Sequence, residues 1–217
     1  MNSTQNKSAS LQHPRMAYRI ETLRLVIRCW QPEDGALAKA AIDDNLDHLR
    51  PWMPWALDEP TSLEEKVNLM RRFRARFDLD QDYTFGILAA DEQRVLGGCG
   101  LHTRLGPNAY EIGYWIHKDY VNQGLATEAA AALTRVAFEV GKVGRIEIHV
   151  SVGNHASAAV PPKLGYRLEG TLGRRIVGSD GELHDMMVWT LFSDEYPSSP
   201  AAKAEIRAYD VNGKRLL

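Results

Sequence analysis

A short run of small and polar residues, Asn122 to Ala126, stands immediately before a long run of helix-forming residues. Gly124 and Ala126 have little or no side chain, so a ligand can approach the backbone closely there. The first turn of an α-helix also carries unpaired N–H groups and the positive end of the helix dipole, which together favour a bound phosphate. The spacing therefore predicts a phosphate-binding turn, with a helix that merely begins on small residues as the alternative.

Histidines and glycines elsewhere do not form a second recognisable site. Neither G-x-G-x-x-G nor G-x-x-x-x-G-K-S/T occurs in the sequence, so dinucleotide folds and P-loop nucleotide sites lose support. His102, His117 and His149 are scattered along the chain without the spacing of metal ligands, and we predict no metal.

A helix that begins near Gly124 needs other elements to hold it in place. Its apolar period continues to Val140, and Gly141 is suited to end it. Apolar periods with Gly, Pro and Asn boundaries predict seven strands and three more helices. The predicted strands cover 22–30, 83–90, 94–102, 109–116, 145–152, 167–177 and 182–192, and the other helices cover 31–45, 62–77 and 154–165.

The order of these elements, β-α-α-β-β-β-α-β-α-β-β, describes one mixed α/β domain rather than a doubly wound sheet. Residues 1–18 are polar and lack periodicity, and we predict them to be a disordered N-terminal arm. The domain itself is predicted over residues 19–193. Residues 194–217 are predicted to form a C-terminal appendage, because the chain turns to Pro, Ser and Ala there.

The composition is that of an ordinary soluble globular protein, with 44% hydrophobic and 25% charged residues in 217. A net charge of −2 provides no overall attraction to nucleic acid or acidic membranes. No apolar run approaches the ~18 residues of a membrane span, and the polar start lacks the apolar region of a signal peptide. Cys29 and Cys99 lie in apolar runs, which fits buried reduced thiols. We therefore expect a cytoplasmic protein with no membrane partner and no direct nucleic-acid partner.

Four longer stretches occur in a recognisable order: ETLRLVIRCWQPED, LRPWMPW, EIGYWIHKDYVNQGLATEA and NHASAAVPPKLGYRLEG. Together they resemble the GNAT superfamily of acyl-CoA-dependent N-acetyltransferases, and more closely its RimJ/RimL-type branch of ribosomal-protein N-terminal acetyltransferases. The resemblance covers roughly residues 18–192. In this family the phosphate motif is Gln/Arg-x-x-Gly-x-Gly/Ala, and the chain departs from it at Val121.

The resemblance implies a single α+β domain, with a mixed, mostly antiparallel sheet of about seven strands and about four flanking helices. The sheet is expected to splay between its fourth and fifth strands, so that the acyl-pantetheine arm of acetyl-CoA pairs with free backbone groups. By position these groups belong to Trp115 and Ile116, and Asn154 is expected to be both a helix cap and a cofactor contact. The pyrophosphate is expected on backbone N–H groups of Gln123, Gly124, Leu125, Ala126 and Thr127.

Acetyl transfer from a thioester requires a neutral amine, a polarised carbonyl and often an acid for the leaving thiolate. Glu111, beside the splay, is the candidate base, with an ordinary surface glutamate as the alternative. The branch resemblance places Ser157 as an acid or thiol-binding group, with a simple role in the helix cap as the alternative. The tyrosine acid of most of the superfamily is replaced by Pro161. Pro161 and Pro162 also require a short, kinked or restarted helix.

The acceptor is expected to lie against Trp52, Met53 and Trp55, although this loop could instead buttress the core. His184 and Asp185 are further candidates, with a structural role on their strand as the alternative. The leading interpretation is an acetyl-CoA-dependent N-acetyltransferase acting on a protein α-amine. A small-molecule amine acetyltransferase and a non-catalytic acyl-CoA-binding module are the alternatives, and the sequence is compatible with a homodimer.

Overall fold

The computed structural model describes residues 16–178 and 180–217. Within these ranges the chain forms one nine-stranded sheet and five α-helices, connected by 3-10 turns and loops. The strands are β1 (Arg19–Glu21), β2 (Leu25–Cys29), β3 (Tyr83–Ala89), β4 (Val95–His102), β5 (Ala109–Ile116), β6 (Arg145–Ser151), β7 (Arg167–Val177), β8 (Leu183–Phe192) and β9 (Arg207–Tyr209). The helices are α1 (Gly35–Asp43), α2 (Leu46–Leu49), α3 (Leu63–Asp78), α4 (Leu125–Glu139) and α5 (His155–Ala158).

The sheet has the order β7-β8-β6-β5-β4-β3-β2-β1-β9. All neighbours are antiparallel except β5 and β6, which are parallel. The predicted mixed, mostly antiparallel sheet is confirmed, as are its seven predicted strands. The two strands that the prediction missed, β1 and β9, have three residues each, too few for a period-2 pattern to be recognised.

The two faces of the sheet are covered by different helices. On one face, called here the α4 face, α4 buries a row of small and branched residues against the sheet: Ala129, Ala130, Leu133, Val136 and Ala137. On the other face, called the acceptor face, Trp30 packs with Ala38 of α1 and Met70 of α3. The apolar periods of α3 and α4 made both helices predictable, since each buries one stripe.

The packed domain extends further at both ends than the sequence predicted. Met16 and Ala17, assigned to the N-terminal arm, are 1% and 0% exposed, whereas residues 1–15 lie outside the described chain. The segment predicted as an appendage contributes Tyr196, Ala201 and Ala208 to the main core, and β9 pairs with β1 at the edge of the sheet. The apolar residues of this segment are isolated and show no periodicity, so the sequence does not predict their burial. They reach the core through tertiary contacts.

The predicted short helix after β6 is interrupted at its proline pair. Asn154 caps α5 as predicted, accepting the N–H of Ser157 at 3.0 Å. The α-helix ends at Ala158, and a 3-10 turn, Pro161–Leu164, begins on the prolines. A proline lacks an N–H, which the first positions of a helical turn do not need. The helix is therefore restarted rather than kinked.

Candidate active site

The turn before α4 has the geometry that its small residues predicted. Gly124 occupies the N-cap with φ +79°, and Asn122 has φ +60°. The first helical bond runs from the Glu128 N–H to the Gly124 carbonyl at 3.0 Å. Within the described residues, the backbone N–H groups of 123–127 have no acceptor, and no side chain caps the helix. The turn thus presents a row of free donors at a positive helix end.

The sheet opens next to this turn, between β5 and β6. Their pairing covers only residues 109–111 and 145–147, and ends at Glu111 opposite Glu147. Beyond this point the outer half of β5 still pairs with β4 but has no partner on the β6 side among the described residues. Backbone groups there are available to an extended ligand that enters as an additional strand.

Strand register decides which backbone groups face the opening. His117 donates its N–H to the Leu96 carbonyl at 2.8 Å, and antiparallel pairs alternate along β4 and β5. The backbone groups of Trp115 therefore point toward Gly98 on β4, whereas those of Tyr114 and Ile116 point into the opening. The backbone groups of Ile116 thus have the orientation that a contact with the pantetheine arm would require. Those of Trp115 face β4 instead, because the sequence alone does not give the parity of the pairing.

The Ser157 hydroxyl is held across the opening by a residue that the sequence analysis did not select. Tyr114, on the unpaired half of β5, places its hydroxyl 3.1 Å from Ser157 Oγ and 3.3 Å from the Ser157 carbonyl. Burial raises the pKa of the Tyr114 hydroxyl to about 12, so it stays protonated at neutral pH. No motif marks this pairing, since the two residues are 43 positions apart.

Glu111 lies on the acceptor face at the point where the sheet opens, and its side chain is 8% exposed. Both carboxylate oxygens accept hydrogen bonds from Arg104. Its Nε atom donates to Oε2 at 2.6 Å, and its Nη2 atom donates to Oε1. The Nδ1 atom of His149 is 3.7 Å from Glu111 Oε2. The predicted base is therefore a paired carboxylate beside an imidazole, rather than a free surface glutamate.

His149 is connected to a second carboxylate on its own strand. Its Nε2 atom lies 2.7 Å from Oε2 of Glu147. Burial by itself would raise the pKa of Glu147, but its hydrogen bonds to Arg145 and His149 hold that pKa below its usual value. Glu147 stays charged near neutral pH and can orient the imidazole. The sequence contained a weak signal of this arrangement, since residues 147 and 149 share one face of a strand.

The loop 51–60 forms a wall beside this cluster. The Trp52 ring lies 3.7 Å from the position a Cβ on Gly153 would take, and Trp52 lines a narrow cleft with Ser151 and His184. Trp55 is 39% exposed and stacks at a tilt on Trp115, with ring centroids 6.3 Å apart. Trp115 thus supports the loop with its side chain. Met53 is half-buried at the start of the 3-10 turn that follows.

A buried ion pair fixes the end of this loop. The Lys66 side chain of α3 is 0% exposed and binds Oε1 of Glu59, whose other oxygen accepts the Thr61 N–H at 2.8 Å. Arg50 donates to the Glu59 carbonyl at 2.8 Å and so joins the two ends of the loop. Composition and spacing gave no indication of this pair, because lysine is rarely buried.

The other two acceptor candidates lie on opposite faces of β8. His184 faces the cleft and is bound by Asp180, with Nε2 at 2.9 Å from Oδ2. Asp185 is on the α4 face, where its Oδ1 accepts the N–H of Arg174 at 2.9 Å. Arg174 has φ +55° within an irregular part of β7, so Asp185 stabilises a bulge. Strand alternation separates this adjacent pair, and only His184 remains a site candidate.

Among the described residues, one cluster of possible metal-ligand atoms lies outside this region. Asp44, His117 and Asp119 place their ligand atoms within 4.8 Å of one another, although their sequence spacing did not predict it. The Lys118 ammonium group lies 2.6 Å from Asp44 Oδ2. The carboxylate already has a cationic partner, and the residues fit an ion-pair cluster that joins the end of α1 to the 3-10 turn Lys118–Tyr120 after β5.

The sequence profile described as "Acetyltransferase (GNAT) domain" matches residues 24–167, more than half of the chain. The chain belongs to the GNAT acetyltransferase family. The matched range contains β2 through the 3-10 turn after α5, and therefore the predicted phosphate-binding turn, the opening in the sheet, Glu111 and Ser157. This acyltransferase thus has the family assignment that its four motifs indicated.

Curated relatives of this GNAT acetyltransferase include proteins named for ribosomal substrates. The chain is 28% identical over 173 residues to "Putative ribosomal N-acetyltransferase YdaF" of Bacillus subtilis (strain 168), covering 79% of this chain and 93% of the relative. It is 25% identical over 126 residues to the ribosomal-protein-serine acetyltransferase of Escherichia coli (strain K12), covering 57% of this chain and 70% of that relative.

Solved structures share the fold of this GNAT acetyltransferase. Mycobacterium smegmatis RimJ, in complex with a CoA-disulfide, superposes with a TM-score of 0.73 at 24% identity, covering 87% of this chain and 92% of RimJ. RimL, an α-N-acetyltransferase of ribosomal L7/L12 in complex with coenzyme A, superposes with a TM-score of 0.71 at 20% identity. The superposition covers 79% of this chain and 95% of RimL. None of the described helices is long and apolar enough to span a bilayer.

Proposed function

We propose that this GNAT acetyltransferase transfers the acetyl group of acetyl-CoA to the α-amine of a protein N-terminus. The observation that carries the proposal is the continuity between two features, the free N–H groups of 123–127 and the opening that ends at Glu111. A phosphate-bearing donor bound at the turn could extend through this opening to the acceptor face. Relatives named for ribosomal proteins support a protein acceptor.

Acetyl-CoA supplies an activated thioester, and the chain supplies position and proton transfer. Gln123, Gly124, Leu125, Ala126 and Thr127 bind the pyrophosphate by their backbone, and Asn154 contributes from the cap of α5. The backbone of Tyr114 and Ile116 holds the extended arm, and an N–H there polarises the acyl carbonyl, as an oxyanion hole does. These assignments rest on geometry and on family membership.

The proton of the attacking amine goes to the Glu111–His149 pair. An α-amine with a pKa near ~8 is about one-tenth neutral at pH 7, whereas a lysine near ~10.4 is almost entirely charged. A modest base is therefore sufficient for an α-amine. Because Arg104 occupies both oxygens of Glu111, His149 or a water is the more accessible first acceptor of the proton.

The leaving thiolate is stabilised by Ser157. The Tyr114 hydroxyl lies within hydrogen-bond distance of both Ser157 Oγ and the Ser157 carbonyl. When Tyr114 donates to Oγ, the Ser157 hydroxyl hydrogen is free to point into the opening. This pair takes the role of the tyrosine acid that Pro161 replaces. The free thiols Cys29 and Cys99 are buried, and we propose a reducing, cytoplasmic environment for the enzyme.

The acceptor is identified by offering matched amines to the full chain with acetyl-CoA. One peptide has a free N-terminus and no lysine, and its control is the same peptide with a blocked N-terminus and one internal lysine. A polyamine and an aminoglycoside represent small amines. Thiol release and an acetyl mass increase are measured for each.

We expect release only with the free α-amine. Faster transfer to a small amine or to the lysine would reject the α-amine assignment and leave the acetyltransferase assignment in place. Binding of acetyl-CoA without thiol release from any amine would instead favour a non-catalytic acyl-CoA-binding module.

A further inference from the structure

The turn between β1 and β2 reaches across the molecule to the phosphate turn. Arg24 donates through Nη1 to the Gln123 carbonyl at 2.8 Å and through Nε to Oε2 of Glu128 at 2.7 Å. Thr22 donates its hydroxyl hydrogen to Oε1 of Glu128 at 2.6 Å, and the Arg24 N–H also reaches that oxygen at 3.1 Å. A segment about one hundred residues away thus holds both ends of the turn.

These contacts have an electrostatic consequence for an anion at the turn. Glu128 lies in the first turn of α4, next to the free N–H groups, and an unpaired carboxylate there would repel a diphosphate. Arg24 neutralises it and is itself 44% exposed. A Cβ on Gly124 would lie 3.6 Å from Arg24 Nη2, so the guanidinium also borders the space in front of the turn.

The contact with Gln123 has a geometric consequence. The Gln123 carbonyl accepts its hydrogen bond from Arg24, so it is directed away from the N–H groups that follow it in the turn. Gly124 has the left-handed conformation that this change of chain direction requires. The positive φ of Asn122 adds strain to the same turn. The hydrogen bond from Arg24 is therefore well placed to hold the turn in the conformation that leaves its N–H groups free.

We infer that Arg24 is a positioning residue for the diphosphate of the donor: it neutralises Glu128 and holds the Gln123 carbonyl away from the anion. The inference rests on the proposed function only in taking a coenzyme A derivative as the donor. It assigns to the first of the four motifs a role in the cofactor site, which neither the family profile nor the sequence analysis specified. Arg24 acts here through the turn and not on the reacting atoms.

The test compares ligands with and without the diphosphate. Coenzyme A binding is measured by calorimetry for the parent, Arg24→Gln, Glu128→Gln and the double variant, and acetyl-CoA KM is compared with S-acetylpantetheine KM. Arg207→Gln is the matched control, because Arg207 forms a similar exposed pair with Glu21, at 3.0 Å, and bonds no residue of the turn within the described chain. Melting temperatures report whether each variant is folded.

We expect Arg24→Gln to weaken coenzyme A binding about tenfold, in the range of a charge effect at a helix end, and to leave S-acetylpantetheine within about twofold. The double variant should recover part of the lost affinity, since the repelling carboxylate is then absent while the contact with the Gln123 carbonyl stays lost. Arg207→Gln should leave both ligands unaffected.

Equal losses for the two donors, or no recovery in the double variant, would show a merely structural clamp and overturn the inference. Parental affinity in Arg24→Gln would overturn it as well, while the proposed function would stand. If the parent itself bound no coenzyme A, the donor assignment would fail together with this inference.

Discussion

The cofactor side and the acceptor side of this enzyme are built in different ways. The proposed phosphate turn lies within one continuous segment, residues 122–128, and its proposed binding groups are backbone N–H groups. The acceptor side collects side chains from five separate segments: the loop 51–60, the β4–β5 turn, β5, β6 and β8. A backbone site depends on local conformation, whereas a side-chain site depends on how distant elements pack.

The two sides also treat charge differently. On the cofactor side, the Glu128 carboxylate near the anion site is neutralised, so that the helix end stays positive. On the acceptor side, Glu111 and Glu147 lie beside His149, where we propose that the amine proton is transferred. The difference indicates that substitutions on the cofactor side should change affinity, and those on the acceptor side should change turnover. The four predictions that follow test this separation, from the largest expected effect to the smallest.

The largest effect is expected at the proposed base. Glu111→Gln should keep acetyl-CoA affinity and lower kcat by ~10²–10⁴-fold at pH 7, the usual contribution of a general base. His149→Gln should cost a similar factor, and the double variant little more, because residues that act as a unit are not additive.

Rate profiles from pH 6 to 9 check the role of this pair. Raising the pH should restore part of the rate, since more of the amine arrives neutral. A folded Glu111→Gln variant with parental turnover across this range would exclude Glu111, and an additive double variant would exclude the pair.

A large loss of stability is expected on breaking the buried pair below the acceptor loop. Lys66→Met leaves Glu59 charged and buried, which typically costs about 3–5 kcal/mol in unfolding free energy. Lys39→Met is the matched control, because Lys39 forms an i,i+4 pair with the partly exposed Asp43, and such pairs contribute about 0.3–0.5 kcal/mol.

Denaturant unfolding gives both free energies. At temperatures where Lys66→Met is folded, its coenzyme A affinity should be parental, because the pair lies on the acceptor side. A loss of affinity larger than the loss of turnover would contradict the separation between the two sides.

An effect of about 100-fold is expected at the phosphate turn. Gly124→Glu introduces a carboxylate among the free N–H groups and a side chain at φ +79°, and so should weaken coenzyme A binding by about 100-fold. Gly213→Glu is the control, since Gly213 also has positive φ and open space around it. Calorimetry on both variants measures the effect, and equal affinities for coenzyme A would reject the site.

The smallest effect is expected at Tyr114. Tyr114→Phe removes the hydroxyl that orients Ser157 and should lower kcat by about tenfold, the loss of about one hydrogen bond. Ser157→Ala should cost at least as much. Neither loss should recover at high pH, because the amine is not involved and the Tyr114 pKa of about 12 lies above the tested range. Recovery of either variant at pH 9 would assign the pair to the amine instead.

The sequence determined the parts of this protein that depend on neighbours in the chain. The apolar periods specified α3, α4 and seven strands, and the small residues at 122–126 specified a turn whose N–H groups are left without a side-chain cap. Asn154 and the proline pair specified a capped and interrupted helix. In each case a periodicity of 2 or 3.6, or a residue with a restricted backbone, carries the information.

Tertiary structure alone decided which distant residues meet. Strand register turned the backbone of Trp115 to β4 and that of Tyr114 to the opening. Packing brought Arg104 to Glu111, Tyr114 to Ser157 and Arg24 to Glu128. These contacts join residues whose separation in sequence follows no period, and they form only because a strand register and a set of packed faces are satisfied together.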